Sequence, residues 1–145
     1  MAKALHAPGG ISSSFCEQLR DFIDDCAQCP ADDEHARIRE AVELVRGGQP
    51  VPARTRLETL LAVGAGLDAA LLVVGDEPAF MCSRSENGVS MASCLVSDSE
   101  EDVCAEGATP ALALLGAWAS ALLMAIEQIP SLDDKVFAGM EIVLH

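Results

Sequence analysis

Two cysteines, Cys26 and Cys29, stand in the run Asp-Asp-Cys-Ala-Gln-Cys-Pro-Ala-Asp-Asp-Glu-His, residues 24 to 35, among five acidic side chains. A C-x-x-C pair is the half-set of a zinc site, and His35 at C-x5-H spacing from Cys29 offers a third ligand, with Cys16 one helix face away as a fourth. The same pair could also cycle between dithiol and disulfide. That chemistry favours a first cysteine at a helix N-terminus, where the dipole lowers the thiol pKa. Here the pair comes at the end of a helical pattern and lies among carboxylates, which disfavour the thiolate. Phe15, Cys16, Leu19, Phe22, Ile23 and Cys26 already recur at spacings of three and four, and Cys29 continues them. The sequence therefore reads Cys26 and Cys29 first as core residues, and Cys26, Cys29 and His35 as a metal or redox set only in the alternative.

Other chemistry is sparse. Gly64-Ala-Gly-Leu-Asp-Ala69 matches the degenerate G-x-G-x-x-A dinucleotide fingerprint, but too few residues follow before Gly75 for the helix and second strand such a site needs. Those glycines read instead as a helix terminus. No G-x-S-x-G elbow is present, and of the three histidines two, His6 and His145, lie near the ends of the sequence. The acidic run from Asp98 to Asp102 lacks the glycine-punctuated spacing of a calcium loop. No catalytic residue is assigned, no cofactor is expected, and the chain reads as a non-enzyme.

The elements that would position these residues follow from periodicity and caps. A first helix is expected from Ser14, with Glu17 completing a capping box and Pro30 closing it. Asp32 or Asp33 would cap a second, carrying Ile38, Ala41, Val42 and Val45 and ending at Gly47-Gly48. Pro52 opens a third with Leu57, Leu60 and Leu61, which stops near Gly64 and Gly66. Ala70 to Val74 then reads as a short strand, followed by Phe80 to Ser85 and Val89 to Ser97. Asn87-Gly88 between the last two predicts a hairpin with a two-residue turn. The expectation is a three-stranded meander over these runs, in which Cys82 and Cys94 could face each other across the hairpin but read first as small apolar fillers. An acidic loop leads to Thr109-Pro110, a cap and first-turn proline for a helix over Ala111 to Gln128. Lys135 to His145 alternates as a closing strand that could pair at the meander's edge.

Ala108 to Ile126 is nineteen residues without a charge, long enough for a membrane span. Its alanine content and the lack of basic anchors at its ends favour a helix buried on most sides. The fold class is α+β: one domain over 1–145, with a helical part at about 12–66 and a sheet-plus-helix part at about 67–145.

Charge narrows the partners. The 145-residue chain carries Lys+Arg 9 against Asp+Glu 23, a net charge of -14. Five of the bases are arginines between Arg37 and Arg56, whereas only Lys135 lies beyond Ser85. Direct binding to nucleic acid or to an anionic membrane is disfavoured, because both need clustered bases. Without a basic head and apolar run at the N-terminus, and with six cysteines, the expected setting is cytoplasmic with reduced thiols.

The order hairpin, acidic loop, then Ala-Glu-Gly-Ala-Thr-Pro-Ala-Leu-Ala-Leu-Leu-Gly-Ala-Trp from Ala105 resembles small phage-encoded domains with a helix, sheet, helix ("ABA") sandwich, over about residues 70 to 127. The resemblance implies a fold and a phage or prophage origin, and carries no catalytic residues. Together with the charge it gives the functional expectation: an inhibitor of host nucleic-acid machinery, anti-CRISPR-like, binding a basic nucleic-acid-binding protein through Asp24, Asp25, Asp32, Asp33, Asp98, Glu100, Glu101 and Asp102. A homodimer through the Ala111 to Met124 helix is compatible with this.

Overall fold

The computed structural model describes residues 13–46, 54–76, 78–96 and 100–128. Four helices, α1 (Ser13–Gln28), α2 (Glu34–Arg46), α3 (Arg54–Ala62) and α4 (Gly66–Val74), precede three strands, β1 (Phe80–Arg84), β2 (Ser90–Leu95) and β3 (Asp102–Gly107), and a last helix α5 (Pro110–Glu127). The strands form one antiparallel sheet in the order β1-β2-β3. The α+β class expected from the sequence is the one observed.

The N-terminal stripe forms as its spacing requires. Leu19, Phe22 and Cys26 are fully buried, with Phe15 and Ile23 packed beside them. The helix begins at Ser13, so Ser14 lies in its first turn and is not the cap. Asp32 and Asp33 belong to a 3-10 turn, Ala31–Asp33, between α1 and α2. On α2, Ile38, Ala41 and Val42 are buried, whereas Val45 is exposed. The stop at Gly47-Gly48 and the start at Pro52 lie outside the described residues, as does the closing strand expected over Lys135 to His145.

Gly64 ends α3 in a Schellman arrangement. The Ala65 amide donates to the Leu60 carbonyl at 2.8 Å and the Gly64 amide to Leu61 at 3.1 Å. Gly64 sits at φ 80, in the left-handed region that a side chain resists. α4 starts two residues later, so a helix precedes the G-x-G-x-x-A match where a dinucleotide site needs a strand.

The third strand lies elsewhere than expected. Ala70 to Val74 is helical, part of α4, and its buried positions Gly66, Ala69, Ala70 and Val74 fall at helical spacing. A short aliphatic run has no period of its own, and here packing against α5 decides it. The third strand is Asp102–Gly107, in what reads from sequence as loop.

The hairpin at Asn87-Gly88 is present but one residue longer than the expected two-residue turn. The Ser85 amide donates to the Val89 carbonyl at 2.9 Å, and the Gly88 amide to the Ser85 carbonyl at 3.0 Å. Three residues, Glu86 to Gly88, thus close the loop, with Gly88 at φ 90 as the bulge position. Asn87 Oδ1 accepts from the Val89 amide at 3.1 Å and holds the turn from inside. In this register Cys94 opposes Phe80 and Cys82 opposes Ala92. The two cysteines are diagonal neighbours and do not face each other.

α5 is the centre of the molecule. Thr109 caps it by accepting from the Leu112 amide at 3.1 Å, and Pro110 occupies the first turn. Residues 111–119 are all buried, because α1 covers one side and β2 and β3 the other. Two glycines permit this approach. A Cβ on Gly116 would lie 3.3 Å from Ala105 Cβ and 3.7 Å from Cys26 Cβ, and one on Gly107 only 2.8 Å from the Ala113 amide nitrogen. By length and composition α5 could cross a membrane, yet half of its apolar window is buried inside the fold. The face expected to serve a homodimer is largely consumed within the chain; what remains half-exposed is Leu122 to Ile126.

Candidate functional site

The C-x-x-C pair occupies the last turn of α1 and the residue after it. Cys26 is fully buried against α5, while Cys29 is half-buried and its amide donates to the Asp25 carbonyl at 2.9 Å. Burial pushes the Cys26 thiol up to about 12, with the neighbouring Cys29 adding to it and Arg37 opposing. Burial raises Cys29 as well. A protonated thiol in an apolar seat is a poor ligand and a poor nucleophile. Among the described residues no group of three or more His, Cys, Asp or Glu is placed to hold a metal ion, so His35 is not gathered with the pair.

This makes a prediction with a definite sign. A thiol whose pKa is higher folded than unfolded contributes stability that is complete below the unfolded value of 9.0 and is lost as pH rises toward about 12. Over that window the wild type is expected to lose a few kcal/mol that a Cys26→Ala variant does not lose. Chemical denaturation at stepped alkaline pH checks this; parallel curves for the two proteins would contradict it. In native thiol titration the exposed Cys82 and Cys104 should react, and the buried Cys26 and Cys94 only after unfolding.

The acidic residues do not form one surface. Glu100, Glu101 and Asp102 are exposed where the chain enters β3, at the C-terminal end of α5, whose cap residue Gln128 donates to Glu101 Oε1 at 3.3 Å. Asp24 and Asp25 lie further along α1, in the turn that brings Cys26 against Gly116, and Asp32 and Asp33 continue beyond it. Asp98 lies outside the described residues.

Internal pairing distinguishes the two groups. Asp25 faces Arg37 at 3.7 Å, and Arg37 also meets Glu40 at 3.1 Å. Arg39 holds Glu58 through two hydrogen bonds of 3.2 and 2.9 Å, which lower the Glu58 pKa and raise that of Arg39, and Arg54 reaches Glu43 at 3.6 Å. The arginine-rich stretch therefore pairs Asp25, Glu40, Glu43 and Glu58 from within the helical half. Among the described residues no salt bridge reaches Asp102 or Glu106 of β3.

Beside them lies a surface that the sequence did not single out. The inner face of the sheet carries Ser90, Ala92 and Cys94, buried under α5. The outer face carries Met81 and Ser83 from β1, Met91, Ser93 and Leu95 from β2, and Asp102, Cys104 and Glu106 from β3, in register across the three strands. Among the described residues no element packs on it. Met81 is 73% exposed, Leu95 41% and Met91 38%. An apolar centre of two methionines and a leucine is thus flanked along one side by two carboxylates. Met91 and Leu95 on one face of β2 were the available signal, since apolar residues on the side away from a buried helix have nothing among the described residues to cover them. Comparison with family models, with curated proteins and with solved structures found no match to this chain.

Proposed function

We propose that the protein is a non-enzymatic binding module that seats a basic, amphipathic segment of a partner protein on the outer face of its sheet. The observation that carries this reading is the uncovered row of Met81, Met91 and Leu95 beside Asp102 and Glu106. Flexible thioether side chains adapt to apolar anchors of varied shape. The adjacent carboxylates, with Glu100 and Glu101 at the end of β3, select Lys or Arg next to those anchors. The net charge of -14 acts at longer range, drawing basic surfaces in and holding nucleic acid and like-charged proteins off. A nucleic-acid-binding protein is the partner class that fits, because the carboxylates would stand where its basic surface takes phosphate. Inhibition then follows from occupancy alone.

The test is a comparison of variants on the same captured partner. Asp102→Lys with Glu106→Lys should slow association about tenfold at low salt and flatten its salt dependence. Met81→Ser with Met91→Ser should instead speed dissociation. Asp32→Lys with Asp33→Lys, on the far group, should change neither rate by comparison. Nucleic acid should compete with the protein for its partner. A partner indifferent to salt and to the β3 pair, or one that binds alongside nucleic acid, would remove this reading.

A further inference from the structure

Three sulfur side chains share the outer face of the sheet at adjoining register positions. Met81, Ser93 and Cys104 form one row across β1, β2 and β3, and Ser83, Met91 and Glu106 form the next. Met91 is therefore the diagonal neighbour of both Met81 and Cys104, a separation of about 7 to 8 Å that long side chains bridge. Met81 and Cys104 stand two strand spacings apart, about 10 Å. Between them lies Ser93, whose short side chain leaves the middle of the row to its neighbours. Met81 is 73% exposed and Met91 38%, and Cys104 is an exposed free thiol. None of the three sulfurs is fixed by the core, and the two thioether arms are long and flexible enough to turn toward the thiol.

We propose that Met81, Met91 and Cys104 form a three-sulfur site for Cu(I). The donor set selects the ion. Thiolate and thioether sulfur are soft ligands that suit Cu(I), whereas Mg²⁺ and Ca²⁺ take oxygen, and Cu(II) prefers nitrogen and oxygen in a tetragonal arrangement. A structural zinc site asks for four ligands drawn from thiolate, imidazole and carboxylate, which one thiol and two thioethers do not supply. On binding, the Cys104 thiol releases its proton to solvent and gives a lone pair to Cu(I), each methionine Sδ gives another, and no electron changes hands. Thiolate and Cu(I) together carry no charge, while Asp102, Glu106 and the net charge of -14 draw the cation toward this face. The other thiols are less well placed. Cys26 is buried against α5 and Cys29 half-buried, so the C-x-x-C pair offers both sulfurs only if α1 lifts away, and Cys82 lies on the opposite face of the sheet. The site goes beyond the binding-module reading and does not rest on it, because copper is measured on the protein alone.

The test titrates the reduced full chain, without oxygen, against the coloured Cu(I) complex of bathocuproine disulfonate. The protein should withdraw one Cu(I) per chain. Cys104→Ser should weaken binding about 100-fold or more, and Met81→Leu and Met91→Leu, which keep the apolar volume, about tenfold each. Cys29→Ser and Cys82→Ser should leave it unchanged. X-ray absorption at the copper edge should show sulfur neighbours and no nitrogen or oxygen. A chain that takes no copper from the competitor overturns the proposal. So does loss of copper in Cys29→Ser, which would place the ion at the C-x-x-C pair, or one copper per two chains, which would place it between two Cys104 thiols. An affinity indifferent to both methionines would leave a lone thiolate as the ligand and overturn it equally.

Discussion

Leu115→Asp is expected to leave no stable folded protein at room temperature. Leu115 is completely buried in the middle of α5, between α1 and the sheet. Removing the isobutyl group forfeits about 2 to 5 kcal/mol of burial and packing. The carboxylate that replaces it meets no base in the core of the described residues, where Ser90 is the buried polar side chain, and Arg37, Arg39 and Arg54 are engaged with Glu40, Glu58 and Glu43. An unpaired buried charge costs several kcal/mol more, or protonates at comparable expense. Together these approach the roughly 5 to 15 kcal/mol by which a domain is stable at all. Met81→Asp is the matched control. It places the same carboxylate on the outer face of the sheet, where the side chain is 73% exposed, and should shift stability by less than about 1 kcal/mol. Circular dichroism and Trp118 emission of the two variants would separate a core helix from one that faces lipid, because the latter places no such premium on Leu115 over Met81.

What the sequence disclosed followed from how many independent signals each element carried. α5 has a capping threonine, a first-turn proline and an unbroken apolar surface, and it forms at its expected bounds. α1 has a stripe of six residues that no other conformation would bury. Ala70 to Val74 has only aliphatic character, which suits a strand or a helix equally, and it became a helix whose buried positions fall at helical spacing, with Gly66 against Glu34 of α2 and the helix packed on α5. β3 was missed for the opposite reason. Asp-Val-Cys-Ala-Glu-Gly has weak strand propensity and a charged outer row, and its inner row of Val103, Ala105 and Gly107 is too small to announce itself. Its smallness is the point, since it lets a helix lie close against the strand.

The candidate site shared that fate. The cysteine pair was legible because the helical stripe already accounted for both thiols, and burial of Cys26 follows from it. The carboxylates were legible as charge but not as a surface. Which of them share a face depends on the register of β3 against β2, and on the arginines that neutralise Asp25 but not Asp102. Met81 and Met91 became candidates only once α5 was seen to occupy the opposite side of the sheet.

Gly107→Val should be the most damaging single change outside the helices' own core, and its cause is geometric. A Cβ at this position lies 2.8 Å from the Ala113 amide nitrogen, 2.9 Å from Leu112 Cβ and 3.0 Å from the Leu112 carbonyl carbon. Those atoms belong to the first turn of α5, held by the Thr109 hydroxyl that accepts from Leu112 and by the Ala113 amide that donates to Thr109 at 3.0 Å. Relief therefore requires moving the helix start away from β3, which unseats the cap, or bending β3 away from Ser90, its register partner. Overpacking against backbone costs about 1 to 3 kcal/mol, and loss of the cap adds about 1 kcal/mol. Gly116→Ala is the graded comparison: its Cβ would meet only other Cβ atoms, at 3.3 and 3.7 Å, so a few tenths of an ångström of give suffices and the expected loss is under about 1.5 kcal/mol. Urea unfolding followed by Trp118 emission would rank the two. Equal midpoints would show that α5 does not rest on β3 through Gly107, whereas a Gly107→Val loss several times that of Gly116→Ala, accompanied by increased exchange of the Leu112 and Ala113 amides, would locate the strain at the capped turn.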